Sequence, residues 1–200
     1  MIIDMHMHEM RYSEDSFLRL ENMVEIAKHR GLDGICITDH DSMGLKEFAA
    51  EYSEKTGFPI FVGIEFYSLQ GDIVAFGIED YPKERIPAQE FVDLVQAQGG
   101  MCFSAHPFRN NNRGLEENLK IVKGLDGIEV LNGSTLYEAN RKAAEYAAEL
   151  GIATVGSSDC HVPEKLGLYA TYFPREIRSV QELVRSVKRC ETLPVYCRLT

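Results

Sequence analysis

The segment IIDMHMH, residues 2–8, decides how the rest of the chain is interpreted. If this segment is a strand, its side chains alternate between two faces, so His6 and His8 leave one face about one pleat repeat apart. Met5 and Met7 then point to the opposite face, toward an apolar layer. Two neighbouring imidazoles on a strand are unusual in a core but well placed for one metal ion or two adjacent ones. The segment therefore predicts a metal site on the first strand.

Composition favours one domain and limits the classes of partner. The 200 residues are 44% hydrophobic and contain no linker-like stretch, which predicts a single domain over residues 1–200. A net charge of −10 argues against nucleic acid or an anionic membrane as the main partner. No signal peptide or membrane-spanning run is recognisable. Five scattered cysteines predict reduced thiols in a cytoplasmic protein, and nothing in the composition implies a particular oligomeric state.

Strand-like and helix-like segments alternate along the chain. Apolar periodicity and glycine stops predict helices over residues 17–30, 44–56, 87–98, 115–123, 136–150 and 180–189. Short apolar runs predict strands over residues 34–38, 59–64, 101–105, 127–131, 153–156, 169–173 and 193–199, with a hairpin return strand over 71–78. Repeated β-α units imply a parallel sheet with right-handed crossovers.

Ligand-type side chains follow most of the predicted strands. They are His40, Glu65, His106, Asn132, Asp159 and His161. In a (β/α) barrel the carboxyl ends of the strands share one face, where active sites form. The chain is short for eight units, so we predict a compact, TIM-barrel-like (β/α)7 barrel. The alternative is an open, doubly wound sheet, which would spread these residues along a crevice.

Five short motifs give the chain a resemblance to a known family. They are DMHMH (4–8), TDHD (38–41), GIE (63–65), AHP (105–107) and SDCH (158–161). Each is weak alone, but in this order they resemble the PHP (polymerase and histidinol phosphatase) superfamily of metal-dependent phosphoesterases, over most of the chain. The resemblance implies a distorted (β/α)7 barrel that holds two or three divalent ions.

The resemblance also implies which residues bind each ion. The first ion would be held by His6, His8, Glu65 and Asp159. The second would share Glu65 and add His106. The third would use His40, His161 and a carboxylate from the loop after His8, either Asp15 or, failing that, Glu14. Mixed imidazole and carboxylate ligands suit Zn²⁺, Fe²⁺ or Mn²⁺. The predicted catalytic residues, arranged around a metal-activated water, are Asp159, His161 and His106.

The second ion site departs from the family pattern. Members with a full second site often carry another histidine on the strand after the glutamate, before a glycine. Here that segment is DIVAFG, residues 72–77, which contains no histidine. The motifs then leave the second ion only Glu65 and His106, so both two and three bound ions remain open.

Two residues outside the ligand set are candidates for substrate binding. Arg109 lies in a polar, asparagine-rich loop and is predicted to contact phosphate through both guanidinium nitrogens; otherwise it is a solvated loop arginine. Asn132 ends a strand on the same side, where a turn role is the alternative. The leading function is hydrolysis of a small phosphomonoester or nucleotide phosphate. The alternatives are an amide or C–N bond hydrolase and a non-catalytic accessory PHP module.

Overall fold

The computed structural model describes residues 1–197, in which strands and helices alternate from the first residues onward. In chain order the elements are β1 Ile2–Asp4, α1 Leu20–His29, β2 Gly34–Ile37, α2 Lys46–Thr56, β3 Ile60–Val62, β4 Ile64–Tyr67, β5 Asp72–Phe76, α3 Ala88–Ala97, β6 Met101–Ser104, a 3-10 helix Glu116–Lys120, β7 Gly127–Asn132, α4 Tyr137–Leu150, β8 Ala153–Ser157, β9 Tyr169–Tyr172, α5 Val180–Lys188 and β10 Leu193–Tyr196. The fold is mixed α/β.

The strands of residues 1–197 pair into two five-stranded sheets. Their orders are β10-β9-β1-β2-β3 and β4-β5-β6-β7-β8. Strand β5 runs antiparallel to both β4 and β6, which confirms the predicted hairpin return strand. Two isolated parallel bridges connect the sheets, one between Met7 and Cys160 and one between His40 and Glu65. Because the described pairing gives two sheets, the seven-unit barrel stays a prediction.

An apolar layer fills the space between the two sheets. Strands of both sheets contribute fully buried side chains to it, among them Ile3, Val74, Phe103 and Val155. Helix α5 closes this layer with Leu183 and two valines. Burying side chains of this size contributes roughly 1.5–3 kcal/mol each. The strand ends that carry the polar side chains therefore lie next to a rigid, closely packed apolar layer.

Several predicted elements differ from the observed ones. The strand predicted over 59–64 is two strands, separated at Gly63, where a Cβ atom would lie 2.4 Å from the carbonyl oxygen of Ala75. Glu65 therefore lies inside β4 and not after a strand. The helix predicted over 115–123 is a 3-10 helix, and Glu116 at its start has a left-handed φ of 48° that an α-helix excludes.

The two ends of the chain also differ from the prediction. Regular strand pairing of the first segment ends at Asp4, so His6 and His8 follow β1 and do not lie within it. The predicted closing strand, 193–199, is β10, and its last residues lie outside the described part of the chain. Within residues 1–197 no helix is long and apolar enough to cross a membrane. The five cysteines carry free thiols.

Candidate metal centre

The first segment brings two imidazoles together at the carboxyl end of β1. The Nε2 atoms of His6 and His8 lie 3.0 Å apart, and both side chains are fully buried. Met5 and Met7 are also fully buried, in two separate apolar clusters. The alternation inferred from the sequence therefore holds beyond the regular strand, and both histidines turn to the same side.

Two buried carboxylates approach this pair of histidines from the second sheet. Glu65 Oε1 lies 3.3 Å from His6 Nε2, and Asp159 Oδ1 lies 3.3 Å from His8 Nε2. The reciprocal distances, from Glu65 to His8 and from Asp159 to His6, are both 3.7 Å. The four residues predicted for the first ion thus converge on one point from both sheets.

His106 extends the cluster on one side. Its Nε2 atom lies 2.9 Å from Glu65 Oε1, and its ring stacks on that of His6 with centroids 5.8 Å apart. His106 and Asp159 both have left-handed φ angles, 26° and 49°. Such strained backbone is kept where the surroundings hold it in place, as at functional sites. The 2.9 Å distance shows that Glu65 and His106, the two residues predicted for the second ion, are in contact.

His40, His161 and Asp15 extend the cluster toward solvent. Asp15 Oδ2 lies 3.4 Å from His40 Nε2 and 3.3 Å from His161 Nε2. The rings of His40 and His161 flank the ring of His8, with centroids 4.2 and 4.1 Å from it. The predicted third set is thus assembled, and Asp15 is the loop carboxylate that reaches it.

Glu129 holds the buried side of the cluster and was missed by the sequence analysis. Its carboxylate accepts hydrogen bonds from His6 Nδ1 at 3.2 Å and from the His106 backbone N–H at 2.7 Å. It also bonds to the Ser157 hydroxyl and to the Asn132 amide. A carboxylate that orients a ligating imidazole through its second nitrogen is common at metal centres. A glutamate in the middle of an apolar strand was the available signal, because ionised side chains are almost never fully buried unpaired.

His8 is oriented by a separate chain of polar residues. The Ser13 hydroxyl lies 3.3 Å from His8 Nδ1 and donates to Asp39 Oδ1 at 2.8 Å. Asp39 also accepts the backbone N–H of Glu9 at 2.6 Å. These contacts fix the loop between β1 and α1 against the end of β2. Asp39 therefore acts on His8 through Ser13.

The charges in the cluster attract a cation. Burial opposes protonation of His6, but Glu65, Asp159 and Glu129 outweigh it and raise the pKa of His6 well above its ordinary value. His8, where burial prevails, has a pKa lowered to about 4. Burial likewise opposes ionisation of Glu65, yet His6, His106 and His40 hold its pKa well below the ordinary range. The buried carboxylates thus stabilise positive charge at one place.

Several buried atoms of the cluster lack hydrogen-bond partners, which tests whether metal ions fit. They are His40 Nδ1, Glu65 Oε2 and His106 Nδ1. The first two lie 2.7 Å apart but are not aligned as donor and acceptor. A buried polar atom without a hydrogen-bond partner costs free energy of folding. Two atoms that both bind one cation do not need to be aligned as a hydrogen-bond donor and acceptor. Imidazole nitrogens and carboxylate oxygens are also the donors that borderline divalent metals prefer. The residues therefore fit divalent ions.

A cavity of about 320 Å³ opens above the cluster. Three basic side chains line it: Arg109, Arg113 and Lys165. In this structure Arg109 donates to Asp159 Oδ2 at 2.8 Å, so the predicted phosphate contact is bonded to a predicted ligand. Lys165 donates to the Ser134 hydroxyl at 3.2 Å and was not singled out in the sequence.

Asn132 lies behind the cluster and not on the cavity wall. Its amide nitrogen donates to Glu129 and, at 3.2 Å, to Asp159 Oδ2. Its amide oxygen accepts from Ser134 N and from the hydroxyl of Thr135. Asn132 is fully buried, so these contacts support a role in positioning Asp159, and the predicted substrate-binding role stays a prediction.

Comparisons with known proteins agree with this fold. Residues 137–192 match the model of a family described as PHP-associated. The uncharacterized protein MJ1587 of Methanocaldococcus jannaschii is 27% identical over 140 residues, which are 64% of this chain and 80% of that protein.

Two solved structures show how widely the fold is shared. One is a two-domain protein of Bacteroides vulgatus that contains a predicted PHP-like metal-dependent phosphoesterase; the TM-score is 0.77 at 22% identity, over 98% of this chain and 64% of the other. The other is an amidohydrolase of Chromobacterium violaceum with bound sulfate, with a TM-score of 0.70 at 19% identity, over 96% and 97% of the two chains. The PHP-associated match over residues 137–192 and this shared fold agree with the resemblance to the PHP superfamily that the five motifs carry.

Proposed function

We propose that the protein is a metal-dependent hydrolase that cleaves a phosphoester bond of a small molecule, either a phosphomonoester or a nucleotide phosphate. The observation that carries the proposal is the convergence of imidazoles and carboxylates from both sheets on one cavity of about 320 Å³. Three basic side chains line the same cavity. Ligands for cations and groups that attract anions are thus combined at one site, as phosphoryl transfer requires.

The donor set supports two or three divalent ions, of the zinc, iron or manganese type. Three groups of side chains place their donor atoms within 4.8 Å of one another: His6, His8 and Asp159; His6, Glu65 and His106; and His8, His40 and His161. When bound, such ions lower the pKa of a water molecule and neutralise charge on phosphoryl oxygens.

The chain's own residues would bind and orient the substrate above these ligands. Arg109 and Lys165 lie on the cavity wall, where each can donate hydrogen bonds to phosphoryl oxygens. Asp159 contacts both His8 and Arg109, so it connects the ligand cluster to the guanidinium group. Of the proposed catalytic residues, His106 lies in the buried floor, His161 lies on the open side, and Asp159 lies between them.

A substrate panel tests the proposal. Protein stripped of metal is assayed on phosphomonoesters, phosphodiesters and amides, with and without Mn²⁺. We expect phosphate release that requires the metal. Turnover of amides alone would favour the C–N hydrolase, consistent with the amidohydrolase named above. Metal binding without turnover of any substrate class would indicate an accessory module and overturn the proposal.

Two finer features belong to the same proposal. We infer that the two sheets together form the distorted (β/α)7 barrel. The bridges Met7–Cys160 and His40–Glu65 support this because they attach both edges of the second sheet, at β8 and β4, to the segments that follow β1 and β2 of the first sheet. The free thiols of all five cysteines support the reducing cytoplasm as the location. A small phosphorylated molecule, and not nucleic acid or a membrane, is the proposed partner.

A further inference from the structure

Asp72 occupies the part of the site where the sequence lacks a histidine. It begins β5 and pairs with Tyr67, whereas Val74, two residues later, pairs with Glu65. Because side chains two residues apart share a face of a strand, Asp72 and Val74 face the same side. Val74 packs into the apolar layer below the cluster, and Asp72 lines the cavity. On the face of β5 that is directed toward the cluster, Asp72 is therefore the residue with a polar side chain.

Asp72 is fully buried and contacts the predicted second ion site. Its Oδ2 atom lies 3.7 Å from His106 Nε2, the same nitrogen that lies 2.9 Å from Glu65 Oε1. Glu65 Oε2 and His106 Nδ1 are buried without a hydrogen-bond partner. One imidazole nitrogen is thus flanked by two carboxylates, and an adjacent carboxylate oxygen is unsatisfied. Such a group of buried acids is stabilised only with additional positive charge.

Arg113 supplies one positive charge at this position. Its guanidinium donates to both oxygens of Asp72, at 2.7 and 2.9 Å, and lies over the ring of Tyr67 at 4.3 Å. Held from both sides, Arg113 fixes the orientation of the carboxylate. Each carboxylate oxygen has two lone pairs, so these bonds leave acceptor capacity on Asp72 that faces the cavity.

We propose that Asp72 completes the second metal subsite together with Glu65 and His106, with Arg113 as the group that orients it. The proposal rests on the metal dependence proposed above. A subsite of two carboxylates and one imidazole is richer in oxygen than the neighbouring group of His8, His40 and His161. Oxygen ligands favour harder ions such as Mn²⁺. Mn²⁺ is therefore the probe for this subsite.

The experiment counts bound Mn²⁺ and does not depend on activity. Metal-free wild-type protein, Asp72→Asn and Arg113→Gln are titrated with Mn²⁺ by calorimetry, and free Mn²⁺ is followed by electron paramagnetic resonance. We expect Asp72→Asn to bind one Mn²⁺ fewer per chain, or to bind it more than about tenfold more weakly. We expect Arg113→Gln to bind the same number of ions as the wild type because it keeps the carboxylate, with an affinity lowered less than in Asp72→Asn because only the orientation of Asp72 is lost.

Each outcome decides between a ligand and a structural ion pair. If Asp72→Asn binds Mn²⁺ as the wild type does, Asp72 is no ligand and this inference fails while the proposed function stands. If both variants lose the same ion, Asp72 serves only as the partner of Arg113, which also overturns it. Wild-type protein that binds no ion would overturn the proposed function as well. Thermal unfolding without metal checks that Asp72→Asn folds. If it does not, Asp72→Glu replaces it, which keeps the charge beside Arg113 but moves the carboxylate by one methylene; we expect it to weaken the same ion, and unchanged Mn²⁺ binding would overturn the inference.

Discussion

The candidate metal centre has a buried half and an open half, and they differ in how the chain supports them. We define the buried half as His6, Glu65, His106 and Asp159, whose side chains are at most 3% exposed. The open half is Asp15, His40 and His161, which are 61%, 25% and 22% exposed. Both halves contain imidazole and carboxylate side chains, so the types of proposed ligand do not distinguish the two halves.

The two halves differ in the residues that hydrogen-bond to the proposed ligands from the side away from the cavity. Glu129 and Asn132 hydrogen-bond to the side chains of His6 and Asp159 and to the backbone N–H of His106, without any ion being needed. The carboxylate of the open half lies on an exposed loop. Charges act more strongly in a buried site of low dielectric constant than in solvent, where water and salt screen them. We therefore expect a tightly held ion in the buried half and an exchangeable one in the open half, next to the entering substrate.

The largest expected effect comes from removing a buried ligand. In Asp159→Ala, His6, His8 and Arg109 lose their common acidic partner. Asp159 is a proposed ligand of the ion that would activate water, so we expect kcat/KM for a phosphomonoester to fall roughly 10³-fold, which corresponds to about 4 kcal/mol of transition-state stabilisation. Steady-state kinetics measures this, and circular dichroism checks the fold. As a control, His29→Ala at the exposed end of α1 should leave turnover unchanged. Full activity of Asp159→Ala would refute its role.

The second prediction concerns the layer behind the buried half. Glu129→Gln keeps the shape of the side chain but removes the charge that orients His6. We expect the tightest ion to bind about 10- to 100-fold more weakly, as is typical for such partners, while binding at the open half is unchanged. Calorimetry with Zn²⁺ measures both affinities. An equal loss at both halves would contradict the division drawn here.

Most of the residues that converge at the candidate site were predictable from the sequence because they belong to short motifs, whereas Asp15 belongs to none of them. His6 and His8 share a strand face by simple alternation, and TDHD, AHP and SDCH follow apolar runs that predict strands. The convergence of these residues then follows from the common edge of parallel strands. The strand Ile64–Tyr67 breaks this rule, since Glu65 lies within it. The strand predicted over 59–64 had placed Glu65 at a strand end, so the residue was singled out although its position in the strand was wrong.

The residues that orient the proposed ligands were harder to predict, because their hydrogen bonds join residues that lie far apart in the sequence and no short motif contains both partners. Glu129 bonds to His6 across 123 positions, and Asp72 bonds to Arg113 across 41. Arg109 illustrates the same limit: its predicted phosphate contact stays a prediction, and the sequence did not indicate that its guanidinium donates to Asp159. Glu129 lies inside an apolar run and Asp72 at the start of one, which is a signal of burial, but only the fold gives their partners.

The third prediction separates substrate binding from support of the buried half. Arg109→Ala removes a charged donor from the cavity wall, and such hydrogen bonds contribute about 1.5–3 kcal/mol. We expect KM for phosphorylated substrates to rise roughly tenfold or more, with a smaller decrease in kcat. Arg109→Lys should recover part of the KM because it restores one charge. An unchanged KM would mean that the phosphate binds elsewhere.

The smallest effect is expected in the open half, where solvent weakens each contact. Asp15→Asn removes the carboxylate that lies between His40 and His161, and because Asp15 is largely exposed its charge is screened. We expect the most weakly held ion to lose roughly two- to fivefold in affinity, and to leave first when a chelator is added stepwise. Glu14→Gln is the matched control, since it changes the neighbouring exposed acid of the same loop. If Glu14→Gln lowered the affinity and Asp15→Asn did not, the third ligand set would have to be reassigned to Glu14. If Asp15→Asn removed the tightest ion instead, the open half would be as firmly coupled to its ion as the buried half, and exposure would no longer explain the difference between them.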